Sequence, residues 1–224
     1  ALLNALDIAK KKIDKVKVVV SGAGASALSC VKLYRSLGVK LQNIFMYDSK
    51  GLIWKGREGL DKMKATYAVH KTDIDFKDAF KKADVFLGLS RAGLVSKEMI
   101  ADMAKNPIVF ALANPEPEIP YKQATAARKD IIMATGRSDH PNQVNNVLGF
   151  PFIFRGALDV RATTINEEMK LAAVHAIADL AKETIPEEVI EAYGEKSISF
   201  GKEQIIPKPL DPRLIYKVAP AVAK

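Results

Sequence analysis

The sequence holds one cysteine, Cys30, in 224 residues. A lone thiol excludes an internal disulfide and a multi-cysteine metal site, and its place in an apolar stretch behind a glycine turn reads as a buried structural thiol. No window approaches the roughly 18 uninterrupted apolar residues that a membrane-spanning helix needs. The N-terminus also lacks the basic, apolar and small-residue zones of a secretory signal. These absences predict a soluble, cytoplasmic chain with no membrane role. Of the few histidines, His70 and His175 have no ligand-like spacing to a cysteine or acid and read as ordinary helix or surface residues. There is no arginine-rich arm and no basic run interleaved with aromatics. The formal net charge of +8 therefore suits a phosphate-bearing cofactor better than a nucleic acid, since the lysines of KKKIDKVK and DFKDAFKKAD are scattered among acids as on a solvated face.

What is present is a chain with 48% apolar residues, long enough for one substantial core. Short β-branched runs alternate with helical stretches, the pattern of a doubly wound α/β fold with a parallel sheet covered on both faces. Strands are predicted at 16–21, 43–48, 85–89, 108–111 and 131–134, and helices at 26–37, 76–82, 96–104 and 121–127. After Pro141 the texture changes to VNNVLGFPFIFRGALDV and then NEEMKLAAVHAIADLAKE, a long amphipathic helix that Asn166 can cap, with Glu167 and Glu168 near its positive end. The tail is punctuated by prolines and closes in a short helix from about Pro212. With no repeat or low-complexity linker, a single dinucleotide-binding domain, 1–224, is the economical count. The helix-like opening ALLNALDIAKKK has neither methionine nor cap and suggests a cut inside a larger protein.

The run VVVSGAGASALS carries the chemistry. Gly22, Ala23, Gly24, Ala25, Ser26 and Ala27 fit G-x-G-x-x-G/A with alanine in the third place, where Gly22 permits the tight turn. Gly24 lets backbone approach a pyrophosphate, and Ala27 allows close helix packing. The motif follows a predicted strand and opens a predicted helix, whose first amides would face phosphates. The next strand ends in Asp48, at the spacing of an acid that grips the adenine ribose. That acid favours NAD, while Lys50, Lys55 and Arg57 just beyond it could pair with a 2′-phosphate, so NAD and NADP both stay open.

Ligands of doubly wound sheets gather outside the carboxyl ends of the strands, which singles out three loops, LGLSRAG, ALANPEPEIP and ATGRSDHPNQVNN. Asn114, held before a proline, can donate and accept toward a ligand or satisfy its own turn. Asn145 and Asn146 can meet a substrate or cap the helix that follows. Asp139 and His140 form an acid/base pair by type, in a proline-flanked loop where a turn role is the simpler reading.

Taken together, SGAGASA, MYDSKGLIWKGR, ADVFLGLSRAG, FALANPEPEI and ATGRSDHPNQVNNVLGFPFIFRGALDVRATTINEEMKLAA resemble the dinucleotide-binding domain of the malic enzymes, most of all the bacterial type, across essentially the whole chain. The resemblance implies oxidation of L-malate by NAD or NADP, followed by decarboxylation to pyruvate and carbon dioxide with Mg²⁺ or Mn²⁺. It implies that Gly22, Ala23, Gly24 and Ala25 cradle the cofactor phosphates and that Asp48 lies near the adenine ribose. Asn114 would serve the nicotinamide and substrate end, and Asn145 or Asn146 the malate carboxylate. The family's catalytic tyrosine and lysine and its metal-binding carboxylates precede the glycine turn, and nothing in residues 1–15 supplies them. The expectation is a fragment that binds cofactor, assembles into homo-oligomers and turns over little without its upstream catalytic domain. Rival readings are another dehydrogenase, such as one acting on amino acids, and a non-catalytic nucleotide-binding or scaffolding domain.

Overall fold

The computed structural model describes residues 1–70 and 74–224, which divide into two compact units, Leu6–Gly136 and Ala1–Ala5 with Arg137–Lys224. The first helix, α1 (Leu2–Ala9), contains the point of division.

The larger unit is built on a sheet in the order β3-β2-β1-β4-β5-β6, formed by β1 (Val18–Ser21), β2 (Ile44–Asp48), β3 (Gly51–Leu52), β4 (Val85–Gly88), β5 (Ile108–Ala111) and β6 (Ile132–Thr135). All neighbours pair in parallel except β2 and β3. Val19, Phe86, Val109 and Met133 are register partners across four strands and form one apolar rung, packed in the same buried cluster as Phe80, Met99, Ile100 and Ala124. Their strand neighbours point the other way, and Val18, Val85, Ile108 and Ile132 are equally buried. Burial on both faces explains the continuous valine-isoleucine runs, since a half-exposed strand would alternate.

The helices of this unit are α2 (Ala25–Ser36), α3 (Lys62–Ala65), α4 (Phe76–Ala79), α5 (Lys97–Ala101) and α6 (Tyr121–Ala127). The doubly wound α/β class is as the sequence predicts, but several elements are shorter. Helix α4 stops at Ala79 rather than 82, and Lys82 sits at φ 56°, a left-handed conformation that does not continue a helix. Helix α5 starts from a Ser96 cap, whose hydroxyl accepts from the Met99 amide at 3.3 Å. The sequence reading omits α3 and β3. The latter is a two-residue return strand closing a tight hairpin, Asp48 opposite Gly51, in which Gly51 takes φ +100°.

The smaller unit holds α7 (Phe150–Asp159), α8 (Glu167–Leu180), α9 (Glu187–Ala192) and α10 (Arg213–Ala223). Helix α10 packs on both α7 and α8. Gly156 makes the first of these contacts possible: a Cβ there would lie 2.8 Å from Val222 Cβ and would also strike the Ala219 carbonyl oxygen. Helix α7 forms despite its proline because Pro151 lies in the first turn, where a missing amide costs no helical hydrogen bond. Asn166 caps α8 as expected, its Oδ1 accepting from the Met169 amide at 2.9 Å. Two buried asparagines stitch the unit. Asn4 Nδ2 donates to the carbonyls of Ala178 and Ile205 at 2.8 and 2.9 Å. Asn142 donates to the Lys202 carbonyl and accepts from the Ile205 amide. Phe150, Phe154 and Leu158 form an exposed apolar stripe along α7. Among the described residues, no helix is long and apolar enough to cross a membrane.

Candidate functional site

In the sheet, β1 pairs with β2 on one side and β4 on the other, so the direction of winding reverses at β1. Such a switch point opens a crevice beyond the carboxyl ends of the two strands. A cavity of about 730 Å³ occupies this place, and Gly22, Ala23, Gly24, Asp48, Ser90 and Arg91 all line it.

The two glycines have different reasons to be there. Gly22 takes φ +108°, and a Cβ on it would stand 2.5 Å from the Leu89 carbonyl oxygen. Its amide donates to Tyr47 O at 2.8 Å, and the Leu89 amide donates to Ser21 O at 2.8 Å, so the three strand ends are drawn together at this residue. Gly24, by contrast, has φ −83° and ψ −176°, a backbone any residue adopts, and a Cβ on it would meet nothing within 4 Å. It is the N-cap of α2 and no side chain caps that helix. Donors at an uncapped N-terminus, beside an open glycine, suit a phosphate. Ala25 is the first residue of the helix and is exposed.

At the far side of the cavity Asp48 is engaged. Arg57 grips it with two nitrogens, at 3.0 Å to Oδ1 and 2.5 Å to Oδ2, and the Lys50 amide donates to Oδ1 at 2.9 Å. The same guanidinium donates to the carbonyls of Gly51 and Leu52, fastening the β2–β3 turn. Lys64 Nζ lies 3.8 Å from Asp48 Oδ2 and 3.6 Å from Asp61 Oδ2. Burial alone would push the Asp48 carboxyl up, but the Arg57 and Lys50 hydrogen bonds and the Arg57 and Lys64 charges hold it below the ordinary carboxylate range. Its charge is thus countered by cations before any ligand arrives. The sequence reading names Asp48, Lys50, Lys55 and Arg57 but misses Lys64, which lies sixteen residues beyond the strand end and reaches the cavity only because α3 folds back.

Tyr47 also lines the cavity. Burial, with Asp75 and Asp78 nearby, pushes its phenol up to about 12, and it donates to the carbonyls of Ile74 and Asp75. Ser21 and Ser90 share a hydrogen bond of 2.7 Å between their hydroxyls.

Asn114 is exposed three residues past the end of β5, and its bond to Pro115 is cis. In the smaller unit, Asn145 does cap: its Oδ1 accepts from the Val147 amide at 3.0 Å, at the head of the 3₁₀ turn Asn146–Leu148. Asn146 is exposed. Asp139 is held by Arg137, at 2.8 and 2.9 Å, and these hydrogen bonds bring its carboxyl down to about 2. His140 Nε2 is 3.9 Å from that carboxylate, so the Asp139–His140 contact is weaker than the Arg137–Asp139 one. Cys30 is half-buried rather than fully buried, and desolvation pushes its thiol up, away from the reactive thiolate. Among the described residues, no group of three or more His, Cys, Asp or Glu side chains is arranged to hold a metal ion. The donors present do not fit the divalent cation that the resemblance implies.

Sheet order, glycine turn and switch-point cavity together define a dinucleotide-binding α/β domain of the doubly wound class. The chain belongs to the malic enzyme NAD-binding domain family, whose model, described as "Malic enzyme, NAD binding domain", matches residues 1–191. It is 55% identical over 223 residues to the NADP-dependent malic enzyme of Halomonas elongata, covering 100% of this chain and 53% of that protein. It is 53% identical over 225 residues to an NAD-dependent malic enzyme of Rhizobium meliloti, covering 100% of this chain and 29% of that protein. Among solved structures, that of the NAD-dependent malic enzyme of Thermotoga maritima superimposes with a TM-score of 0.84 at 38% identity, covering 99% of this chain and 55% of that one. The chain thus spans about half the length of its Halomonas relative and less than a third of the Rhizobium one.

Proposed function

We propose that these 224 residues serve as the dinucleotide-binding domain of a malic enzyme that oxidises L-malate and decarboxylates the product to pyruvate and carbon dioxide. The observation that carries the reading is the switch-point cavity, with an uncapped helix N-terminus and an open Gly24 at one side and Asp48, Arg57 and Lys64 at the other. Gly22, Ala23, Gly24 and the first turn of α2 hold the pyrophosphate. The nicotinamide, when bound, accepts the hydride from malate.

NADP is the preferred cofactor in this proposal. A carboxylate that selects NAD offers acceptor positions to the ribose hydroxyls, and Asp48 has three of its roughly four such positions taken by Arg57 and the Lys50 amide. With that charge countered, Lys64 and the surrounding basic residues favour a 2′-phosphate rather than repel it. Asn114 serves the nicotinamide end, and Asn145 or Asn146 the malate carboxylate. Decarboxylation of a β-keto acid requires a Lewis acid and a proton donor. In this proposal Mg²⁺ or Mn²⁺ and the acid/base tyrosine and lysine belong to an upstream catalytic domain, so the chain alone binds cofactor and yields little or no pyruvate. Homo-oligomeric assembly and a cytoplasmic location complete the reading. The exposed stripe on α7 supplies surface for either the rest of the protein or a second copy.

The test is a fluorescence titration of the chain with NADPH and with NADH. Saturable binding that favours NADPH supports the proposal, and tighter binding of NADH overturns the cofactor preference. Binding of neither, together with a full-length protein that forms no NADPH from malate, overturns the enzyme reading in favour of a scaffolding role.

A further inference from the structure

Glu118 is fully buried, yet no part of the proposed chemistry uses it. Its carboxylate is shared between two loops at the carboxyl edge of the sheet. Oε1 accepts from the Ser90 amide at 2.9 Å, in the loop after β4, and Oε2 accepts from the Ala113 amide at 3.1 Å, in the loop after β5. The Glu118 backbone oxygen adds a third tie, accepting from the Val95 amide at 3.0 Å. The sheet itself is cut to fit the acid. A Cβ on Gly88, the last residue of β4, would lie 2.5 and 2.7 Å from the two carboxylate oxygens, so only glycine lets the side chain reach both amides.

These loops are not incidental ones. Ser90 lines the dinucleotide cavity and shares its hydroxyl hydrogen bond with Ser21, beside the glycine turn. Ala113 immediately precedes Asn114. A carboxyl group with no exposure and one backbone donor on each oxygen is a rigid fastening, because losing it would leave the buried Ala113 amide without its partner and free the part-buried Ser90 amide from the loop it is tied to. We infer that Glu118 is a positioning residue, which fixes the Ser90 loop and the Asn114 loop relative to each other and so holds the nicotinamide end of the site. The inference rests on the malate-oxidising reading above. Asp48, Arg57 and Lys64 make no hydrogen bond or ion pair with Glu118, so the adenine end should not sense its loss.

The experiment uses the full-length enzyme that contains this chain, as wild type, Glu118→Gln and Gly88→Ala. Glu118→Gln keeps the shape but turns an –NH₂ donor against one of the two amides. Three quantities are read: binding of 2′,5′-ADP, which probes the adenine end alone; kcat and KM for malate; and the thermal midpoint. The expected result is a drop of about 10- to 100-fold in kcat/KM for malate, the scale of a misplaced reacting group, with 2′,5′-ADP affinity within about 2-fold of wild type. Gly88→Ala, which displaces the carboxylate from the other side, should show the same split. Losses that fall equally on 2′,5′-ADP binding and turnover, or no loss at all, overturn the inference. If neither variant folds, wild-type hydrogen exchange decides: the Ser90 and Ala113 amides should exchange as slowly as those of β4 and β5, and exchange at the pace of exposed loop amides overturns it. A wild type that neither binds 2′,5′-ADP nor oxidises malate overturns the functional reading and this inference together, whereas a normal wild type with indifferent variants overturns this inference alone.

Discussion

The two glycines of the phosphate turn should fail in opposite ways when substituted. Replacing Gly22 by alanine puts a side chain on a residue at φ +108° and drives its Cβ to 2.5 Å from a backbone oxygen, that of Leu89. A backbone atom yields less than the tip of a flexible side chain. The left-handed conformation costs about 1–3 kcal/mol, and forcing strand ends apart costs about 1–3 kcal/mol more. A destabilisation of roughly 2–6 kcal/mol lowers the melting midpoint of a chain this long by roughly 4–24 °C. Gly24→Val has neither problem, since its backbone is extended and a Cβ there would touch nothing within 4 Å. Its cost is a weaker N-cap, below about 1 kcal/mol, but its branches fill the approach to the first turn of α2.

Thermal unfolding and NADPH titration on the same samples separate the two effects. Gly22→Ala should melt early, and Gly24→Val should melt near wild type while losing at least about 10-fold in affinity, the worth of about 1.4 kcal/mol. A Gly24→Val protein that binds NADPH normally would show that the phosphates do not pass over this turn. A Gly22→Ala protein that melts with wild type would show that the Leu89 contact is not a constraint.

Three further outcomes follow from the charges and the packing. Lys64→Ala should weaken NADPH by about 5- to 30-fold and leave NADH nearly unchanged, since a half-screened pair near 4 Å is worth about 1–2 kcal/mol; equal losses for both cofactors would refute a 2′-phosphate role. Asp130 receives two nitrogens of Arg128 and the Asn106 amide, and the Arg128 hydrogen bonds hold its carboxyl far below the ordinary range. The stabilisation is therefore complete above the unfolded carboxylate value of about 3.9 and is lost as pH falls toward the folded one. The gap in melting midpoint between wild type and Asp130→Asn should be constant from about pH 5 to 8 and close below about pH 4, and a gap that widens on acidification would refute the ion pair. Gly156→Ala gains about 1 kcal/mol of helix propensity but collides with Ala219 and Val222 of α10, at about 1–3 kcal/mol or more. Urea unfolding should show net destabilisation, and a stabilised variant would mean that the α7–α10 contact is looser than the geometry requires.

The sheet is legible from the sequence because burial on both faces leaves nearly uninterrupted runs such as Val18 to Val20, set between Lys17 and the Ser21-Gly22 turn. Periodicity marks α8, and a side-chain cap at Asn166 marks its start. The failures have physical causes. Strand β3 is two residues long, below any window that detects alternation. Helix α7 carries Pro151 and Gly156, two residues that propensity reads as breakers. One is harmless in the first turn, and the other is required by the crossing with α10. Helix α4 ends early because Lys82 adopts a left-handed backbone, which nothing in its side chain announces.

The site divides along the same line between local and tertiary information. The glycine turn is a local motif, since its conformational demands fall on consecutive residues, and Gly22, Ala23, Gly24 and Asp48 line one cavity. What spacing does not disclose is the state of the acid. Read alone, Asp48 is a free carboxylate that selects against a 2′-phosphate. In the fold, a tight turn brings Arg57 back onto both of its oxygens and α3 brings Lys64 to 3.8 Å. The charge of that side chain is then countered by two cations, and the proposed preference for NADP rests on this arrangement. Glu118 follows the same logic in the interior. Its sequence neighbourhood, EPEIP, belongs to a loop singled out for ligands and nothing in it marks a buried acid; only the convergence of the Ser90 and Ala113 amides on its carboxylate explains why an acid is buried there and why β4 must end in glycine. In both cases the residue type is visible in the sequence, but its chemical role is decided by which donors the fold delivers to its oxygens.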